Sequence, residues 1–257
     1  ATLALTLMVC VAALSVVLAV AQDSLALAFV GTVGGFAAPL LVSTGSSDHM
    51  VLFTYYTVLL LVVFAVSWFR AWRPLNLAAF VFVFGVGGAF RATRYTPADL
   101  IGTDLFLLLF FVLFVGISIA YALRHKTQAG GYVSASLVFG LPVVVSTLHG
   151  SLLLQFEHAL AWSALGFAAF YAVLGWALYA SRREELRLLC EAFAALAVIF
   201  ATLAMPLAFD GRTTSAMWAI EGAGGVWLGL RQGRRLPRAF GVLLQLAGGL
   251  GYLESMA

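Results

Sequence analysis

Charge is what this chain has least of. Only 10% of its 257 residues are Asp, Glu, Lys or Arg, against 63% hydrophobic residues and a mean hydropathy of +1.04. Soluble domains run near one quarter charged, so a soluble globular fold is excluded. No polar stretch is long enough to form a separate soluble domain, and a single transmembrane domain over 1–257 is expected. Lysine is nearly missing: Lys126 is the only one, and every other basic residue is arginine. That suits short turns at a headgroup surface, where guanidinium groups contact lipid phosphate. The formal charge of +3 sits in those turns and not on a nucleic-acid-binding face. The two cysteines, Cys10 and Cys190, lie inside apolar runs with neither zinc spacing nor a disulfide framework, and read as packing residues. The alternating short strands of a membrane barrel are missing too. So are HExxH, GxSxG, DxD and paired metal spacings, which leaves no cofactor or metal site to name.

The segment from Ala1 to Ala21 lacks a basic leader and an A-x-A cleavage site, and TLMVC at 6–10 is a poor lipobox. It reads as a first transmembrane helix. With no initiating Met, the chain is expected to be a piece of a longer multi-pass protein, a trimmed one, or a short member of its kind.

What is present is a series of apolar runs of about twenty residues, the length that crosses about 30 Å of hydrocarbon. Ten can be drawn: 2–21, 25–42, 51–69, 75–90, 104–123, 133–150, 159–180, 186–208, 213–230 and 238–253. The expectation is an all-α polytopic bundle of about ten helices. Basic residues orient it. Arg70 and Arg73, Arg124 and Lys126, Arg182, Arg183 and Arg187, and Arg231, Arg234, Arg235 and Arg238 occupy every second loop, leaving only Arg91, Arg94 and Arg212 elsewhere. By the positive-inside rule the alternate basic loops are cytoplasmic. The opposite, outer face then carries Asp48, His49, Arg91, Arg94, Asp99, Asp104, His149, Glu157, His158, Asp210, Arg212 and both termini.

Arg70, Arg124, Arg182 and Arg231 recur at intervals of 54, 58 and 49 residues, which makes a two-helix hairpin the repeating unit. GGFAAPLLVSTG (34–45) resembles IFATLAMPLAFDG (199–211), and Arg73 stands as far from Gly87 as Arg234 from Gly248. Such repeats are common in transporters, though these copies share one topology and are not inverted. Duplication and chance similarity between apolar runs both remain open.

Taken together, GGFAAPLLVSTG, WFRAWRPLNLAAFVFVFG, YVSASLVFGLPVV, the long stretch EAFAALAVIFATLAMPLAFDGRTTSAMWAIEGAGGVWLGLRQGRRL and FGVLLQLAGG resemble a large bacterial family. It is catalogued as a predicted membrane protein with domain of unknown function two-three-three-nine. The resemblance implies residence in the inner membrane of a Gram-negative cell. It brings no assigned activity and no catalytic residues, so site arguments rest on the residues themselves.

Glu221 lies eight residues into the eighteen-residue run 213–230, near the bilayer centre. Such groups are paired, cavity-facing or protonated, because a bare carboxylate in hydrocarbon costs a few kcal/mol. It is either a proton, cation or polar-substrate site or a neutral glutamic acid bonded to a neighbour such as Gln245 on the next helix. Pro39, Pro142 and Pro206 each interrupt a run and free a carbonyl. Pro142, mid-run beside Gly140, is the strongest kink. Gly222, Gly224 and Gly225, together with Gly34, Gly35, Gly87, Gly88, Gly248 and Gly249, suit close helix packing. Glu191 follows Arg187 by four residues, as in a salt bridge along one helix face. Trp68, Trp72, Trp162, Trp176, Trp218 and Trp227 form an interfacial belt.

The outer-face polar residues are the other focus. His149, Glu157 and His158 flank one turn, Arg91, Arg94, Tyr95, Asp99 and Asp104 fill a loop, and Asp210 and Arg212 cap another. They either bind a phosphate or glycan headgroup, do acid–base chemistry, or are solvated turns and helix caps.

Three functions remain: translocation or handling of a small solute or lipid-linked envelope precursor around Glu221, a structural or assembly subunit, and a membrane-embedded envelope enzyme. The expected partners are the lipid bilayer, a lipid or small-solute substrate, and further membrane helices of a parent chain or other subunits, with no nucleic acid.

Overall fold

The computed structural model describes residues 2–42, 49–70, 72–124, 132–181, 186–233 and 235–254. Asp48, Lys126, Arg182, Arg183 and Arg234 lie outside the described residues. Among the described residues there is no strand, and ten α-helices follow one another: α1 (Thr2–Ala21), α2 (Leu25–Val42), α3 (His49–Phe69), α4 (Arg73–Thr93), α5 (Leu100–Arg124), α6 (Tyr132–Leu153), α7 (Ala159–Ala180), α8 (Arg187–Ala208), α9 (Gly211–Arg231) and α10 (Arg235–Glu254).

Six of the helices, α3 to α6, α9 and α10, outrun the apolar runs that announce them, because their ends are built from polar and turn residues; α1, α2 and α7 match theirs, and α8 begins one residue later. Pro74 sits in the first turn of α4, where a missing N–H costs nothing. A 3₁₀ turn, Pro97–Asp99, leads into α5. There the Asp99 carboxylate accepts from the Thr96 N–H at 3.1 Å and from its hydroxyl at 2.8 Å. At the far end of α9, Gly233 takes φ +68°, a left-handed conformation that glycine adopts without penalty.

Among the described residues, five segments are long and apolar enough to cross a membrane: Met50–Phe69, Arg73–Thr93, Pro97–Leu123, Ala159–Ala180 and Arg187–Ala208. Leu25–Leu40 and Leu137–Leu153 are apolar but shorter within the described residues. Helices α9 and α10 are long enough, but their glycines, Glu221 and Gln245 lower their hydropathy.

The chain divides into two units. The first comprises 1–152 with 181–189, the second 153–180 with 190–257. In the first, an aromatic core joins α3, α4 and α5. Phe53 packs against Phe90 and Phe106 at 5.4 and 5.6 Å between ring centroids, and Phe84 against Phe80 and Phe114 at 4.9 and 5.5 Å. Polar ties mark the two ends of this unit. At one end Arg70 pairs with Asp23 at 2.8 Å, joining the α3–α4 turn to the α1–α2 turn, and Arg73 Nε donates to the Tyr121 hydroxyl at 2.7 Å. At the other end α4 finishes, α5 begins and α6 finishes together.

In the second unit α9 and α10 meet backbone to backbone. Ser215, Gly222 and Gly229 are buried on α9 at seven-residue intervals, and Gly241 and Gly248 on α10 at the same interval. A Cβ on Gly222 would stand 2.6 Å from the Gly241 carbonyl oxygen, and one on Gly248 would stand 2.7 Å from that of Ser215. A seven-residue small-residue stripe lets antiparallel helices lie side by side with no side chain between them. Not every glycine serves this way: Gly34, Gly87, Gly224 and Gly249 face open space.

Two of the in-helix prolines share a solution to the carbonyl they free. Pro39 has no N–H for Gly35 O, and the Tyr55 hydroxyl of the next helix donates to that oxygen at 2.8 Å. Pro206 likewise frees Thr202 O, which the Trp218 indole N–H of the next helix meets at 3.4 Å. Trp218 is therefore a structural donor inside its unit, unlike Trp162, Trp176 and Trp227, which are well exposed. Pro142 lies fully buried in α6.

Candidate functional site

Among the described residues, polar side chains singled out in the sequence gather in two constellations, one in each unit. The first gathers at the shared end of α4, α5 and α6. His149, one turn before the end of α6 and buried, places Nδ1 2.5 Å from Oδ1 of Asp104 on α5. Arg91, in the last turn of α4, donates from Nη2 to the Ser151 carbonyl oxygen at 2.9 Å. That carbonyl is among the last of α6, which a helix leaves without an internal acceptor bond, so the guanidinium completes the helix end. The same guanidinium carbon lies 4.4 Å from the centre of the Tyr95 ring, within cation–π range. Two atoms here have no partner: Arg91 Nε and Thr103 Oγ1, both buried. Both residues line one cleft, whose other walls include Phe53, Phe84, Phe106, Phe110 and Leu148.

The sequence placed Arg91, Asp104 and His149 on one face, and the fold brings them to one helix end. Arg94 follows α4 and is exposed. His158 belongs to the second unit, where it lies in an exposed turn at φ +59° with its ring 3.9 Å from the Glu157 carboxylate. Asp210 caps α9, accepting from the Thr213 N–H at 2.9 Å. Hydrogen bonds from the Thr213 side chain and backbone hold the Asp210 carboxyl below its ordinary range.

The second constellation surrounds Glu221 on α9. Its Oε1 lies 2.5 Å from Thr202 Oγ1 of α8, and the same hydroxyl lies 2.9 Å from Val198 O. Oε2 is buried with no partner. Gln245 of α10 does not reach the carboxyl; its Cγ lies against Gly222, and the residue is otherwise exposed. A wider groove in this unit runs between α7 and α8, lined by Ala172, Gly175, Trp176, Tyr179, Cys190 and Glu191. Glu221 lines neither this groove nor the Arg91 cleft. Among the described residues no cluster of His, Cys, Asp and Glu suits a metal ion.

The family catalogued as "Predicted membrane protein (DUF2339)" matches residues 1–254. The chain belongs to this family. The DUF2339 description carries no activity, and the all-helical architecture agrees with a membrane protein. No curated protein and no solved structure matches the chain.

Sequence reasoning missed Thr103 and Thr202, the two hydroxyls at the centres of these constellations. A threonine in an apolar helix ordinarily returns its proton to the carbonyl one turn back, so nothing in the sequence sets such a residue apart. The one available signal was Pro206, whose i−4 partner is Thr202.

Proposed function

We propose that this is a multi-pass protein of the bacterial inner membrane that translocates or handles a small solute or a lipid-linked envelope precursor, with Glu221 as its mid-membrane polar group. The observation that supports this most is Glu221 Oε2, a carboxyl oxygen buried without a partner midway along α9. A group that expensive to bury is retained where a proton, a cation or a polar substrate group meets it. The basic turns face the cytoplasm and both ends of this chain the periplasm, in keeping with the polar ties that gather Asp23 with Arg70 at one end of the first unit and Asp104 with His149 at the other. The hairpin is the repeated unit. The recurring proline, freed carbonyl and aromatic donor at Pro39 and Pro206 support that reading.

The test is Glu221→Gln, which keeps the side-chain shape and removes the exchangeable proton. Proton-coupled uptake, or turnover of a lipid-linked precursor, is expected to fall about tenfold or more in cells, in line with loss of a positioned proton-transfer group. Normal flux at normal expression would sink the coupling role. A structural or assembly subunit is the second reading, favoured by the Thr202 contact and the glycine seam beside Glu221. On that reading Glu221→Gln alters assembly or thermal stability and leaves flux untouched.

A further inference from the structure

The Arg91 cleft in the first unit presents donors that nothing in the protein uses. Thr103 is only 9% exposed and its hydroxyl has no partner. Arg91 spends Nη2 on the Ser151 carbonyl, while its Nε is buried and unpartnered. Among the described residues no ion pair involves Arg91, so a half-buried guanidinium stands without a carboxylate to balance it. An unmatched buried donor costs about 1–3 kcal/mol and a buried unpaired charge more, and both of these donors belong to residues that line one cleft.

The size of the cleft restricts the ligand. It offers about 30 Å³ of space for water-sized atoms, between walls of Phe53, Phe84, Phe106, Phe110 and Leu148. That admits one or two atoms of water size and no organic ligand in full. The walls are otherwise apolar, with Arg91 and Thr103 the polar residues among them, and the one charge is positive.

We propose that the Arg91–Thr103 cleft binds one anionic acceptor atom, held by Arg91 Nε and Thr103 Oγ1, supplied either by a halide ion or by a phosphate oxygen of an acidic lipid headgroup lying over the mouth. The site is independent of Glu221, which belongs to the other unit. A neutral water would meet the same donors but leave the guanidinium charge unbalanced, and the experiment separates the two.

Purified protein in a neutral detergent is melted in sodium chloride or bromide against sodium gluconate, whose anion is too large to enter, at constant ionic strength. In parallel it is melted in nanodiscs of phosphatidylcholine with and without phosphatidylglycerol. A saturable rise in Tm with halide assigns a free anion, and a rise only with phosphatidylglycerol assigns a lipid headgroup. In either case Thr103→Val and Arg91→Gln are expected to raise the half-saturating concentration about tenfold or more. Arg91→Gln also loses the Ser151 contact and can weaken the fold. Thr103→Val leaves that contact intact and differs from threonine by little volume, so it carries the test if the arginine variant does not fold. A Tm indifferent to both halide and phosphatidylglycerol in the wild-type protein would overturn the proposal in favour of water, as would an equal response in Thr103→Val.

Discussion

Thr202 has one hydroxyl proton and two oxygens within reach of it, Val198 O and Glu221 Oε1. One proton serves one acceptor well, so the hydroxyl divides it between the helix carbonyl and the carboxyl. In the proposed coupling role Thr202 positions the Glu221 carboxyl. Asp210 gives a simpler case, legible in the sequence as a cap and found as one. Its carboxyl is held below the ordinary value of 3.8 by the Thr213 hydrogen bonds. A depressed acid stabilises the fold above its unfolded value and loses that stabilisation as pH falls through its folded one. Protection of the Thr213 and Thr214 amides in hydrogen exchange is therefore expected to be constant from neutral pH down to about pH 4 and to decay below it. Asp210→Ala should lose this protection at neutral pH, and Asp210→Asn, which still caps, should keep it without the pH dependence. Equal protection in the alanine variant would refute the capping role.

Among the elements, the α9–α10 pair shows what periodicity reveals and what it hides. The glycine content was plain in the sequence, as was its suitability for close packing. Which glycines carry the contact was not, because Gly222, Gly224 and Gly225 are neighbours in sequence and only a helix phase separates them. That phase depends on α10, whose Gly241 lies against Gly222. A paired substitution tests it. Gly222→Ala forces a methyl to within 2.6 Å of a backbone oxygen and is expected to cost about 1–3 kcal/mol. Gly224→Ala meets nothing within 4 Å and should stabilise by up to about 1 kcal/mol through helix propensity alone. The two should shift Tm in opposite directions, and a shared direction would refute the seam. The proline solutions at Gly35 and Thr202 were half legible in the same sense. The freed carbonyl follows from the chain alone, whereas its aromatic donor requires the neighbouring helix to be in place.

At the scale of the whole molecule, composition and basic turns were enough to read the helical membrane class and the order of the helices. The ten helices expected from run length are all present, and a glycine- and carboxylate-bearing run such as 213–230 has the length of a span with a lower hydropathy. The convergence of Arg91, Asp104 and His149 was anticipated only as membership of one face. Their approach depends on the end of α4, the start of α5 and the end of α6 lying level, which the sequence does not encode locally. Orientation is open to direct measurement. In a variant lacking Cys10 and Cys190, single cysteines at Asp23 or Arg70 should react with an impermeant maleimide only in inverted vesicles. Cysteines at Arg94 or Asp99 should react in intact spheroplasts. Labelling of all four from one side would refute alternating transit through the first unit.

The glycine seam also has a genetic meaning. Every single-base missense change of a glycine codon adds a side chain, and at Gly222, Gly241 and Gly248 the first carbon of any side chain already meets backbone at 2.5 to 2.7 Å. No conservative missense neighbour exists for these codons. The two helices are thus bound to each other in inheritance as well as in space, since a change on one can be relieved only by a backbone shift in both.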